Sequence, residues 1–235
     1  MSGQAPGVKY LPRQVRPALL RAEAVSALAA LLVFVVTALL VTHHLTQSVD
    51  LKVLHAVLAL NTALGLRVAH ALSFLGQEGL IAGTVFLGLV FLTRRDWAAL
   101  AVTIAVMGGG EVLDNLFKAF FARPRPSPVE TLIPAQVYSF PSGHAVASAA
   151  FFLLLSYLGW QILVGRWRVI LAITCGGLVI AICFSRLYLG VHFLSDVVGG
   201  AALGFAWSDS VILGQQLLAR REDQSNTRAT DPGRG

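Results

Sequence analysis

Ala24–Thr42 reads AVSALAALLVFVVTALLVT, nineteen residues without a charge. As a helix it rises about 28 Å, close to the thickness of a bilayer's hydrocarbon core. Five further apolar runs follow it. They are Ala71–Thr93, interrupted by Gln77 and Glu78; Trp97–Phe117, with Glu111 and Asp114 near its end; Ala145–Gly165; the short Val169–Ser185; and Phe193–Leu218, which carries Asp196 and Asp209. The expected fold is all-α, an integral membrane bundle of six transmembrane helices with both termini on one side. Composition agrees: of 235 residues, 56% are hydrophobic and only 13% charged, against about 25% charged in soluble domains. Disorder, a collagen-like chain and a soluble nucleic-acid binder are excluded; the expected partners are the lipid bilayer and a lipid, with no nucleic acid.

The first run is expected to be an uncleaved anchor, because THHLTQS after it offers no A-x-A cleavage site. Between the first two spans, about 51–70, apolar Leu54, Val57, Leu58 and Leu64 alternate with Lys52, Asn61 and Arg67, the pattern of a short interfacial helix. The polar stretches 1–19 and 219–235 are expected to be disordered tails around a single membrane domain at 20–218. Cys175 and Cys183 are eight helical residues, about 12 Å, apart, too far for a disulfide.

Net charge is +6, and it must be sorted by side. Twelve of the 18 Lys and Arg residues fall on the side of the termini, which the positive-inside rule makes cytoplasmic in a multi-pass protein of the cell membrane. Among the other six, Lys118, Arg123, Arg125 and Arg186 crowd into two loops and break the rule. Their loops hold the unusual residues: Lys118-AFFARP-Arg125-Pro126 after the third span, Pro141-Ser142-Gly143-His144 at the start of the fourth, and Ser185-Arg186-LYLGV-His192-FLS-Asp196 between the fifth and sixth. By topology all three lie at one face, opposite the termini and so extracytoplasmic.

Three of these cations, Lys118, Arg125 and Arg186, brought together repel unless an anion with several oxygens joins them, and the arginine fork matches phosphate. Pro141-Ser142-Gly143 opens a helix whose free N–H groups suit an anion. His192 and Asp196, at i and i+4, are expected on one helix face, where the carboxylate accepts the Nδ1 proton and leaves Nε2 to attack. His144, on another helix, is placed to be a general acid. No Cys/His or multi-carboxylate cluster points to a metal, and cations take its place at a transferring phosphoryl group.

These residues resemble the type 2 phosphatidic acid phosphatase (PAP2) superfamily. Its pattern is K-x6-R-P, P-S-G-H and S-R-x5-H-x3-D, and all eleven fixed positions are matched, from Lys118, Arg125 and Pro126 to Ser185, Arg186, His192 and Asp196. The resemblance, over about residues 20–218, implies dephosphorylation of lipid phosphates or diphosphates through a phosphohistidine, with no metal or cofactor. It implies His192 as nucleophile, Asp196 as its partner, His144 as acid, and Lys118, Arg125, Ser142, Gly143 and Arg186 as phosphate ligands. Family spacing favours Arg125 over Arg123, which makes a second Arg-Pro pair.

The expected substrates are a polyprenyl diphosphate such as undecaprenyl diphosphate, favoured by the short loops and outward face, or phosphatidylglycerol phosphate or phosphatidate. The alternatives are a vanadium haloperoxidase-like oxyanion enzyme, whose relatives are soluble, and a non-enzymatic lipid carrier. Glu111 and Asp114 share a helical face with Lys118 and are read as partners that neutralise it. Asp209 is expected to pair with an arginine. His43, His44, His55 and His70 are read as interfacial or loop residues, and the glycines at 108–110 and 199–200 as close helix packing.

Overall fold

The computed structural model describes residues 17–126 and 138–230. The remainder of the two expected tails, up to residue 16 and from 231, lies outside the described residues. The elements are α1 (Pro17–Thr42), α2 (Gln47–Leu58), α3 (Ala63–Phe74), which passes through a π-helical turn (Leu75–Gly79) into α4 (Leu80–Thr93), α5 (Trp97–Phe121), α6 (Gly143–Ile162), α7 (Arg166–Tyr188) and α8 (Leu194–Thr230). Six helical segments are long and apolar enough to cross a membrane, with α3–α4 acting as one, and no strand occurs among the described residues. The six-helix reading of the sequence therefore stands.

Helix α6 is at the centre. It packs on α8, α7 and α5, while α1 lies along α8 and α3 along α7. The α6–α8 approach is made by Gly200 and Gly204, one helical turn apart. A Cβ on Gly200 would sit 2.6 Å from Ser142 O, and one on Gly204 would strike Val146 O. Small residues at this spacing let two backbones touch, which is how helices associate where lipid offers no hydrophobic drive. Gly109 packs against Trp207 and Gly199 against the Phe140 ring, as the sequence suggests, whereas Gly108 faces open space.

Two boundaries differ from the sequence reading. The stretch 51–70 is not one helix: Thr62, extended at φ −128°, caps a new helix by accepting the Gly65 N–H on Oγ1 at 3.0 Å. Threonine at such a cap offsets an orphan backbone donor. The first half is α2, which turns Asp50, Leu54 and Val57 inward and packs on α7 and α8; the second half lengthens the second span. At the other end α8 runs to Thr230, past the expected tail start at 219. No Gly or Pro interrupts 215–230, and Pro232 disfavours the helix only from the residue before it.

Candidate active site

Helix α7 ends at Tyr188, and Gly190, at φ +69°, turns the chain. Its N–H donates to Leu187 O (3.0 Å) and the Val191 N–H to Arg186 O (3.2 Å). This pair of bonds is a Schellman closure, whose left-handed residue is normally glycine. The turn delivers His192 to the gap before α8, so His192 precedes the helix instead of standing on it. Asp196 still reaches it, because a carboxylate in the first turn of a helix folds back over the orphan N–H groups. Asp196 Oδ2 accepts the Phe193 N–H at 2.9 Å and faces His192 Nδ1 at 3.5 Å.

On the other side of the ring, Arg125 Nη1 is 3.4 Å from His192 Nε2. A guanidinium only donates, so Nε2 presents its lone pair and the ring proton sits on Nδ1, toward Asp196. Burial drives the His192 pKa down to about 4; the hydrogen bond and charge of Asp196 oppose the shift, and Arg125 and Arg186 add to it. The imidazole is therefore neutral at pH 7, as a nucleophile must be.

Lys118, in the last turn of α5, pairs with Asp114 one turn before it. Arg125 donates to Val191 O at 3.2 Å; burial lowers its pKa while Asp196 and Asp114 oppose the shift. Arg186 is buried at the end of α7, donates from Nη1 to Ser73 Oγ on α3, and has an Nε with no hydrogen-bond partner among the described residues. Ser73 Oγ is also 3.3 Å from His144 Nε2, so one hydroxyl links the clamp to the second imidazole. Nothing in the sequence singles out Ser73, which sits in an apolar run just before the π-helical turn, a feature common at functional sites.

Lys118, Arg125, Gly143, His144, Arg186 and His192 line one cavity of about 620 Å³. Away from the cations the cavity continues along Leu80, Ile81 and Val85 on α4, Met107 on α5 and Ala150 on α6. Gly143 is there because a Cβ would sit 2.7 Å from Asp114 Oδ2 and 2.8 Å from Lys118 Nζ. Ser142 and Asp196 are not on the lining. Both are fully buried behind it, joined by a 3.0 Å bond from the Ser142 N–H to Asp196 O, and Ser142 Oγ has no partner among the described residues.

Arg123 is placed apart from these cations. Its Nη1 donates to Asp196 Oδ1 (2.6 Å) and Ser195 Oγ (2.7 Å), and its Nη2 to Asp50 Oδ2 (2.8 Å). Of the two Arg-Pro arginines, Arg125 and not Arg123 lines the cavity with His192. Asp50, on α2, is a site neighbour that the sequence reading missed; it lies just before the amphipathic stretch at 51–70, where nothing singled it out. Burial alone would raise the Asp50 pKa, but hydrogen bonds from Arg123 and Ser195 outweigh it and hold the carboxyl below its ordinary value.

Asp114 neutralises Lys118 as expected, whereas Glu111 accepts from Asn115 Nδ2 at 2.9 Å at the cavity edge. Among the described residues Asp209 meets no arginine. It is buried with Ser26 and Glu23 nearby, and Arg220 lies eleven residues, about 16 Å, further along α8. His44 and His55 lie at the loop end, on a second cavity of about 890 Å³ beside α2, and His70 Nδ1 bonds Leu66 O at 2.8 Å.

Comparison with known proteins follows the same lines. Residues 96–217 match the PAP2 superfamily. Phosphatidylglycerophosphatase B of Bacillus subtilis (strain 168) is 28% identical over 177 residues, which cover 74% of this chain and 86% of that protein. An undecaprenyl-diphosphatase of Sulfolobus acidocaldarius is 32% identical over 57% of this chain and 62% of its own, and a lipid A 4'-phosphatase of Porphyromonas gingivalis 30% identical over 53% and 55%. The crystal structure of a transmembrane PAP2 type phosphatidylglycerolphosphate phosphatase from Bacillus subtilis superposes with a TM-score of 0.69 at 25% identity, covering 85% of this chain and 96% of that one. Matched over half its length by one family, and over most of it by the fold of a membrane member, the chain belongs to the PAP2 superfamily, among its multi-pass membrane phosphatases.

Proposed function

We propose that the protein hydrolyses the phosphate ester or diphosphate of a membrane lipid through a phosphohistidine, without a metal ion. The observation that carries this reading is that two imidazoles and three cations line a single cavity with an apolar continuation. Lys118, Arg125, Arg186 and the Gly143 N–H hold the phosphoryl oxygens, with Ser142 supporting the helix start behind them. His192 Nε2 attacks phosphorus in line, and the bond to the leaving oxygen breaks as His144 gives that oxygen its proton. Asp196 keeps the Nδ1 proton in place while positive charge develops on the ring. Water, deprotonated by His144, then cleaves the phosphorus–nitrogen bond and releases phosphate.

The lipid tail follows the wall of Leu80, Ile81, Val85 and Met107, where the cavity leaves the polar end. The site lies at the end of the bundle away from α1's start and α8's end. With the termini cytoplasmic by charge, it faces outward from the cell membrane. Polyprenyl diphosphate, phosphatidylglycerol phosphate and phosphatidate share the required chemistry, and relatives named for the first two support both. Phosphate release from purified protein, with chelator present, over those three lipids and a soluble ester tests the reading. Release from at least one lipid, well above the ester, is expected; no release from any of them overturns it.

A further inference from the structure

Asp50 and Arg123 stand outside the cavity that holds the cations, yet both are wired to the residue behind the reactive imidazole. We propose that Asp50 and Arg123 form a bridge that positions Asp196, tying the short helix α2 to the His192–Asp196 pair and setting how much of the Asp196 charge reaches the ring. The inference rests on His192 being the nucleophile.

The geometry is a carboxylate–guanidinium–carboxylate chain. Asp196 has two oxygens: Oδ2 accepts the Phe193 N–H and faces His192 Nδ1 at 3.5 Å, and Oδ1 is held by Arg123 Nη1 at 2.6 Å. With both oxygens engaged the carboxylate cannot swing away from Nδ1. Arg123 is itself anchored, by Nη2 on Asp50 Oδ2 at 2.8 Å and by its guanidinium 4.5 Å over the Phe193 ring. Asp50 closes the circuit onto α8 by accepting the Ser195 N–H (3.0 Å) and Ser195 Oγ–H (2.6 Å).

One guanidinium between two carboxylates leaves a net negative charge, so the pull of Asp196 on the ring is moderated and not cancelled. Only a planar fork spans both acids; a lysine ammonium is a point charge. The other charged or titratable groups around the pair are Lys118 and Asp114 on α5, Arg125 in the loop after it, His144 on α6 and Arg186 on α7.

The test measures phosphate release against pH for the wild type, Arg123→Lys, Asp50→Asn and His192→Ala. Both bridge variants are expected to lose about tenfold in kcat with KM within about twofold, because a misaimed orienter affects the chemical step more than binding. Arg123→Lys is also expected to move the acid limb of kcat/KM up by about one pH unit, since less cation faces Asp196 and more of its charge reaches His192. An unmoved limb with activity lost only in proportion to folded protein makes the bridge a mere strut and overturns the proposal. A raised KM with intact kcat makes Arg123 a phosphate ligand and overturns it too. Asp50→Asn keeps shape and size, so it reads the bridge even if Arg123→Lys does not fold; wild-type kcat there also overturns it. An active His192→Ala sinks the underlying nucleophile assignment instead, whereas an inactive one beside wild-type bridge variants sinks the bridge alone.

Discussion

Both ends of the bundle bury carboxylates, and among the described residues only the loop end answers them with cations. There, Asp50 and Asp196 share Arg123, Asp114 holds Lys118, and Arg125 and Arg186 stand beside them at the cavity. At the other end Glu23 on α1 and Asp209 on α8 lie near each other and meet no cation among the described residues. Gln216 Nε2 donates to Glu23 at 3.0 Å, Ser26 lies by Asp209, and neither acid enters an ion pair there. An acid in a membrane span is a functional candidate by default. The contrast shows what the default omits: an excess of positive charge, an open cavity and a helix start aimed into it. Carboxylates by themselves give a polar seam between helices.

The sharpest way to break this comparison is His192→Ala. It is expected to abolish turnover while the protein keeps its helix content and elution volume, checked by phosphate release, circular dichroism and gel filtration. Arg186→Ala removes a cavity cation and the Ser73 link together, and kcat/KM is expected to fall by about 10²–10³-fold, as when one donor to a developing charge is deleted. Lowering the pH tests the buried ring. With His192 at about 4, against an ordinary value of 6.5, the free enzyme keeps this imidazole neutral down to that region. The acid limb of kcat/KM should therefore lie near pH 4 and not near 6.5. Stability has the same sign: the unfolded histidine takes up its proton first, so stability is full above about pH 6.5 and falls as the pH drops toward 4.

Two glycine variants separate site from scaffold. In Gly200→Ala the methyl meets the Ser142 backbone, and it should cost about 1–3 kcal/mol of stability, seen as a lower melting temperature. In Gly143→Ala the methyl meets the Asp114–Lys118 pair, whose side-chain ends can move, so activity should fall more than stability does. The smallest effect belongs to the far seam. Asp209→Asn is expected to leave kcat and KM within about twofold, since it touches neither cavity nor cation; a tenfold loss would make that seam part of the chemistry.

The six spans and three motifs were legible because each rests on a local signal: uninterrupted apolar length, a helix-opening Pro-Ser-Gly, and cations where topology disfavours them. Boundaries set by competing local rules were harder. Asn61 and Thr62 split a stretch that amphipathic spacing alone joins, and α8 outruns its apolar part because nothing in 215–230 breaks a helix. Ser73, Asp50 and Arg123 could not be ranked in advance. A serine in an apolar run or an acid just before an amphipathic stretch looks the same in sequence whether or not it meets a partner more than 100 residues away.

The chain alone settled the class of molecule and carried the three motifs, since hydrocarbon thickness constrains any sequence that must span it and each motif is a local pattern. The folded bundle decided which of two neighbouring arginines enters the cavity and which turns back to hold Asp196. It also set His192 in the turn before α8, and left Asp209 without an arginine among the described residues. Those outcomes depend on directions in space: a left-handed turn at Gly190 and the reach of α2 across to α8 fix where each charged group points, and no local pattern encodes that.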